Sequence, residues 1–216
     1  MGEILLIRHG KTAGNLQGRY IGSRTDEPLC PEGVRELEER SCPPADRVYI
    51  SPMKRCAQTA RILWPGCEPV PVPGLKECDF GAFENRNYEE LNGDPDYQAW
   101  IDSGGTLAFP GGESPEEFRK RCREAFEQVL RSLRQAGGED GPSEVGEAPG
   151  CSDAWSCPAG FAGRAAIVAH GGTIMAILET YGFPKKDYFD FQVKNGCGFL
   201  LTPVEGTDLW NYQYLP

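Results

Sequence analysis

The chain holds two histidines, and each closes the same kind of segment: Ile4-Leu5-Leu6-Ile7-Arg8-His9-Gly10 and Ala166-Ile167-Val168-Ala169-His170-Gly171-Gly172. In both, a short, nearly continuous apolar run ends in His-Gly. Such runs are how strands buried on both faces of a parallel sheet read. At the carboxyl end of a parallel strand the chain turns toward a helix, and ligands sit at that edge. The glycine lets the backbone turn and approach a ligand without a Cβ in the way. Imidazole itself is suited to nucleophilic attack or proton transfer near neutral pH. Read singly, either histidine is as well explained as a structural residue at a strand end; the shared context favours function.

Glu3 to Ile7, Arg47 to Ile50, Val70 to Val72 and Ala165 to Ala169 read as strands with helical patterns between them, and Val193 to Leu201 and Leu209 to Leu215 as two more. The alternation predicts an α/β fold, three layers α/β/α around a mostly parallel sheet. The clearest helix starts at Ser114-Pro115-Glu116-Glu117, a capping box, and carries Phe118, Cys122, Phe126, Val129, Leu130 and Leu133 at helical spacing to Gly137-Gly138. A second follows Ser51-Pro52 with Met53, Ala57, Ala60 and Leu63 on one face, and a third follows Gly171-Gly172.

With 216 residues, 39% of them hydrophobic, the chain fits one domain, 1–216, able to bury roughly 70% of its unfolded surface without metal or disulfide staples. Its 22 basic against 32 acidic residues, a net charge of -10, exclude a general nucleic-acid or anionic-membrane surface but leave room for a local basic pocket. No apolar run approaches the ~20 residues that span a bilayer. The nine cysteines form no C-x-x-C pair and no cluster beside a histidine, so no zinc site is expected. Met1 to Arg8 lacks the basic start and longer apolar stretch of a signal peptide, which with the odd cysteine count predicts a reduced, cytoplasmic setting. Residues 137–163, rich in Gly, Pro, Ser and acidic residues, read as a flexible surface loop, more a tolerated insertion than a functional one.

Arg8 adjoins the first histidine, and Arg55 follows the second strand. Guanidinium groups donate paired hydrogen bonds to phosphate oxygens, so two at one sheet edge suit an oxyanion. Alone, Arg55 reads as a solvated helix residue.

Four segments, in this order, resemble the histidine phosphatase superfamily: Leu6-Ile7-Arg8-His9-Gly10-Lys11-Thr12-Ala13-Gly14-Asn15, Ser51-Pro52-Met53-Lys54-Arg55-Cys56-Ala57-Gln58-Thr59-Ala60, Leu75-Lys76-Glu77-Cys78-Asp79-Phe80-Gly81-Ala82-Phe83-Glu84 and Val168-Ala169-His170-Gly171-Gly172. The stretches 18–29, 77–81 and 109–114 resemble alpha-ribazole phosphatases and the broad bacterial phosphatases grouped with them. Lys11, Phe83 and the 137–163 stretch depart from the usual pattern, none at an expected catalytic position. The resemblance implies a phosphoglycerate mutase-like fold with a small helical lid over about 85–113. It implies that His9 attacks phosphorus, that Arg8, Arg55 and His170 surround the phosphoryl group, and that Asn15 and the Gly171 backbone contact it. Glu77 matches the proton donor, with Glu84 a weaker alternative; without the resemblance Glu77 reads as an exposed loop carboxylate. Burial would raise its pKa and the arginines would lower it, and the sequence leaves that balance open.

The implied function is metal-independent phosphomonoester hydrolysis through a phosphohistidine, with no metal or organic cofactor. The partner is a small phosphorylated substrate, alpha-ribazole 5'-phosphate of cobamide biosynthesis. The alternatives, in order, are a broad-specificity phosphatase, a cofactor-dependent phosphoglycerate mutase and a non-catalytic phosphate-binding module. Tyr88, Tyr97, Trp100 and Phe109 read either as contacts to a nucleoside-like leaving group or as lid packing. The sequence carries no signal for oligomeric state.

Overall fold

The computed structural model describes residues 2–137 and 163–216, so the stretch read as a flexible loop lies, apart from its two end residues, outside the described residues. The elements run β1 (Glu3–Arg8), α1 (Ala13–Leu16), α2 (Pro31–Glu38), β2 (Arg47–Ile50), α3 (Lys54–Leu63), β3 (Val70–Pro71), α4 (Tyr88–Leu91), α5 (Pro95–Asp102) and α6 (Pro115–Gly137). After the gap come β4 (Arg164–Ala169), α7 (Gly171–Tyr181), β5 (Gly182–Phe183), β6 (Gly198–Pro203) and β7 (Trp210–Leu215).

The strands form one sheet in the order β3-β2-β4-β1-β6-β7-β5. The first four are parallel, β6 lies antiparallel to β1 and to β7, and β5 pairs parallel with β7. Alternate residues of the central strands enter two different cores. Ile4, Leu6, Ala165 and Ile167 pack with Phe126 and Leu133 of α6 and Ile174 and Ile177 of α7. Leu5, Ile7, Ala166 and Val168 pack on the other face with Cys56 and Ala60 of α3 and Trp64. Burial on both faces is why these strands show no polar alternation, and it makes the architecture three-layered.

α6 starts as its capping box predicts: Ser114 Oγ accepts from Glu117 N at 3.2 Å while Glu117 Oε2 accepts from Ser114 N at 3.1 Å. A third cluster, Phe83, Leu91, Phe109, Phe118 and Cys122, fixes α4 and α5 against α6.

Three readings need correction. The strand placed at 193–201 begins only at Gly198, because Gly196 takes a φ of +75° and its N–H is spent on the carbonyl oxygens of Arg8 and His9. The Val70 strand is two residues long, a short edge pairing with Tyr49 and Ile50. The buried residues of α3 are Arg55, Cys56, Thr59 and Ala60, with Ala57 and Leu63 half-buried, because the helix hides polar side chains as well as apolar ones. α4 and α5 fall within the stretch 85–113 that the resemblance gives to a small helical lid, whereas α1 and α2 carry too few periodic apolar residues to be read as helices from sequence; α2 has Gly33 and Leu37 as its buried positions.

Phe126 is fully buried between Tyr181, with ring centroids 5.1 Å apart, and Trp210, at 6.2 Å. Phe126→Ala is expected to cost about 3–5 kcal/mol of unfolding free energy in urea titrations. A loss under about 1 kcal/mol would show that this face is not the main core.

Candidate active site

Parallel pairing of β1 with β4 sets Arg8 opposite Ala169, so the next residues, His9 and His170, leave the sheet side by side. Their ring centroids are 5.1 Å apart, edge to face. His9 N donates to Ala169 O at 3.0 Å, which ties the first histidine to the second strand. His170 is the N-cap residue of α7. Both imidazoles are buried, His9 to 3% exposure and His170 to 0%.

The proton of His9 has a fixed place. Nδ1 lies 2.7 Å from Gly10 O, and a carbonyl oxygen only accepts, so Nδ1 carries the hydrogen and Nε2 keeps a free electron pair. Burial, then the charges of Arg55 and Arg8, hold the His9 pKa well below the usual histidine value. His170 is held low by burial, Arg55, His9 and Arg8. Its Nε2 lies 2.8 Å from Ser51 Oγ, and its Nδ1 is buried with no partner. Both rings are therefore neutral at neutral pH.

Arg55, fully buried in the first turn of α3, donates from Nη1 to Thr25 O at 2.8 Å and from Nη2 to Gly22 O at 3.0 Å. Arg8 donates from Nη1 to Val193 O at 2.8 Å. Each keeps a buried Nε without a partner. These donors spent on carbonyl oxygens leave the guanidinium charges uncompensated, and with the free Nδ1 of His170 they suit an anion.

Glu77 joins them from the segment after β3. It is buried, its Oε1 accepting from Cys78 N at 3.0 Å and its Oε2 from Gly172 N at 3.1 Å. Burial raises its pKa; the two amide N–H groups, Arg8 and Arg55 oppose it without prevailing. The balance that the sequence left open thus goes to desolvation. Glu84 is placed elsewhere: its Oε1 accepts from Gly22 N and Thr25 N, holding the loop that carries Arg55's carbonyl partners.

Arg8, Glu77, Gly171 and Gly172 line an open cleft of about 990 Å³, with Lys11 and Asn195 on its wall. Lys11 is clamped there between Glu32 and Glu36, each at 2.6 Å. His9, Arg55 and His170 are buried outside that lining. Gly171 stands beside the Arg8 guanidinium, but Gly172 is the constrained glycine: a Cβ there would fall 2.5 Å from Glu77 Oε1. Asn15 forms a reciprocal cap with Thr12 at the start of α1, and its Oδ1 also accepts from Asn195 Nδ2 at 3.0 Å.

Two placements were missed in the sequence. Asn195 donates to His9 O at 3.1 Å as well as to Asn15, bracing the first histidine. Arg121 of α6 holds the Glu77 segment through Gly74 O and Lys76 O, both at 2.9 Å, and pairs with Glu113 at 2.6 Å. Neither had a local signal, since the backbone atoms they hold lie 45 to 186 residues away. Among the described residues no group of three His, Cys, Asp or Glu side chains is placed to hold a metal ion.

The family model for the histidine phosphatase superfamily (branch 1) matches residues 4–137. The chain is 26% identical over 215 residues to the adenosylcobalamin/alpha-ribazole phosphatase of Salmonella typhimurium, covering 94% of this chain and 92% of that protein. It is 29% identical over 188 residues to a metal-independent phosphoserine phosphatase of Arabidopsis thaliana, covering 81% of this chain and 66% of the plant protein. The fold matches the alpha-ribazole phosphatase structure from Shigella flexneri with a TM-score of 0.74 at 22% identity, covering 99% of this chain and 95% of that one. It matches a phosphoglycerate mutase structure from Thermus thermophilus with a TM-score of 0.65 at 24% identity, covering 99% and 98%.

The neutral imidazoles make stability depend on pH. Each folded pKa lies below the ordinary 6.5, so the unfolded chain binds more protons there, and the stability each ring contributes is lost as pH falls below 6.5. Glu77 acts in the opposite sense: its folded pKa is raised, so its contribution weakens as pH rises above 4.5. Urea titrations at pH 7 and pH 5 are expected to show a smaller loss on acidification in His9→Asn/His170→Asn than in the natural sequence. An equal loss in both would assign the acid sensitivity to other groups.

Proposed function

The chain belongs to the histidine phosphatase superfamily, branch 1, and on that premise we propose that it hydrolyses phosphomonoesters without a metal, through a phosphohistidine on His9, with alpha-ribazole 5'-phosphate as substrate. One observation carries the reading: a neutral His9, its Nδ1–H locked on Gly10 O and its Nε2 electron pair free, stands among Arg8, Arg55, His170 and a protonatable Glu77.

Nε2 of His9 attacks phosphorus in line with the ester oxygen. As the N–P bond forms the P–O bond breaks, its electron pair leaves with the alcohol oxygen, and the Glu77 proton goes to that oxygen. Arg8 and Arg55 neutralise charge on the equatorial phosphoryl oxygens. In this mechanism Ser51 is the donor to His170 Nε2, 2.8 Å away, so that the unpartnered His170 Nδ1 carries the hydrogen and donates to those oxygens. The amide nitrogen of Asn15 contributes another, its Oδ1 being occupied. Water then attacks phosphorus, Glu77 takes its proton, and the N–P bond breaks to release phosphate and free imidazole. The arginines supply the positive charge that a metal supplies elsewhere.

The choice of substrate rests on the Salmonella relative, which is similar along nearly the whole of both chains. Release of inorganic phosphate in EDTA from alpha-ribazole 5'-phosphate, O-phosphoserine, 3-phosphoglycerate and sugar phosphates tests it. Turnover abolished by His9→Ala, with kcat/KM for alpha-ribazole 5'-phosphate at least tenfold above the rest, is the expected result. Even rates would make the protein a general phosphatase, and no release from any ester would end the hydrolysis reading.

Glu77→Gln is expected to slow alkyl esters about 10²- to 10⁴-fold, and p-nitrophenyl phosphate far less because its leaving group needs no proton. The pKa directions predict an acid limb of kcat/KM below pH 6.5, from His9, and an alkaline limb above pH 4.5, from Glu77. Loss of the alkaline limb in Glu77→Gln would identify it; an unchanged limb would remove Glu77 as the acid.

A further inference from the structure

A second cavity, of about 220 Å³, meets the cleft at its acid: Glu77, Gly172 and Met175 line both. The two chambers differ in chemistry. The cleft wall carries Lys11, Glu36, Arg40 and Lys194, whereas the second cavity is walled by rings, chiefly Phe80, Trp100, Phe109, Tyr188 and Phe189. The rings are held against one another, with centroids 5.2 Å apart for Trp100 and Phe109, 5.0 Å for Phe80 and Phe109, and 5.0 Å for Tyr188 and Phe189. Phe189 keeps 56% of its surface in water, an exposure that an apolar ligand would reduce. The volume equals about seven waters of liquid, enough for one ring system.

We propose that this cavity seats the leaving alcohol and that the site thereby selects phosphomonoesters whose alcohol carries an aromatic ring. The inference rests on the hydrolysis reading above for the direction in which the ester lies. Phosphorus faces His9 and the ester oxygen must reach Glu77, so the alcohol continues past Glu77, where the walls on this side are aromatic. Planar rings gain from offset or edge-on contact with such walls, beyond the burial of their area. The wall is also tied to the acid: Tyr188 Oη donates to Gly172 O at 3.3 Å, and Gly172 N donates to Glu77 Oε2 at 3.1 Å. A ring packed on Tyr188 therefore rests on a side chain bonded to Gly172, the residue whose N–H holds Glu77. An alcohol without a ring has the open polar cleft to lie in, where water competes for every contact.

The test compares esters of similar leaving ability, 2-naphthylmethyl phosphate and n-butyl phosphate, both of primary alcohols. Phosphate release by the intact protein is expected to favour the naphthylmethyl ester at least tenfold in kcat/KM, mostly through KM. Phe189→Ala and Trp100→Ala are expected each to shrink that ratio about two- to tenfold. Calorimetric titration with 2-naphthylmethanol, which needs no turnover, reads the cavity separately and is expected to give binding that both variants weaken. A ratio near one together with no binding of the alcohol overturns the proposal while leaving hydrolysis in place. Variants that lower both esters alike overturn it too, since the walls would then act only on folding. If neither ester is cleaved while alpha-ribazole 5'-phosphate is, the proposal is overturned and hydrolysis stands; if none of the three is cleaved, the hydrolysis reading fails and takes the leaving-alcohol assignment with it.

Discussion

Two guanidinium groups whose hydrogen bonds go to backbone carbonyl oxygens set the terms for everything around them. Arg55 spends donors on Thr25 O and Gly22 O, and Arg8 on Val193 O. A carbonyl satisfies the hydrogen without cancelling the charge, so the positive potential stays in the site. Taking such an ion out of water costs several kcal/mol even after relaxation, and the fold tolerates that cost for Arg55 at full burial. Burial first, and then the same potential, holds both imidazole pKa values low. On Glu77 burial and the two charges act in opposite directions, and burial weighs more, so its pKa is raised. Burial and one pair of charges thus act together on the imidazoles and against each other on the carboxyl, which is what the proposed pairing of a neutral nucleophile with an acid asks for.

The rest of the molecule serves to hold those groups at fixed distances. Pairing of β1 with β4 places the histidines, and the two cores on either face of the sheet make that register costly to slip, since a shift by one residue would exchange the sets belonging to the two cores. Arg55 comes from α3, whose Thr59 Oγ1 donates to Arg55 O and accepts from Gly10 N at 3.0 Å, linking the helix to the turn after His9. Glu77, in contrast, stands in a segment without regular ladder bonds. Its position depends on Arg121 from one side and Gly172 N from the other. The least regular backbone in the site carries the group that must change protonation twice in each turnover of the proposed cycle.

What was legible in the sequence follows from how local each signal is. β1 and β4 were plain because burial on both faces leaves an unbroken apolar run, and α6 because a capping box and a 3.6-residue period occupy one continuous stretch. The face of α3 was misread because Arg55 and Thr59, polar residues hidden for the site's sake, sit where periodicity expects apolar ones. Asn195 and Arg121 were illegible for a different reason. Each acts on backbone atoms distant in the chain, His9 O for one and Gly74 O and Lys76 O for the other, and a backbone acceptor leaves no mark on the residue that supplies it. Arg8, His9, Arg55, Glu77 and His170 were found together through the family's ordered motifs; spacing alone would have left Glu77 an exposed carboxylate.

The groups assigned to phosphorus in the proposed reaction and the walls of the aromatic cavity come from different layers. Arg8, His9 and His170 stand at strand ends and Arg55 on the helix packed beneath them, so moving any one disturbs the sheet register or a core. Phe80, Trp100, Phe109 and Phe189 belong to the segments around α4 and α5 and the turn before β6, packed on α6 and α7 and on one another. A change of ring there alters the cavity without touching the strand pairing that sets the distance between the histidines. Glu77 faces both chambers together with Gly172 and Met175, and through Gly172 and Tyr188 it is bonded toward the aromatic walls. In the proposed reaction selectivity is adjusted where packing is local and the chemistry is kept where packing is global, and Glu77 is the ionisable group common to both.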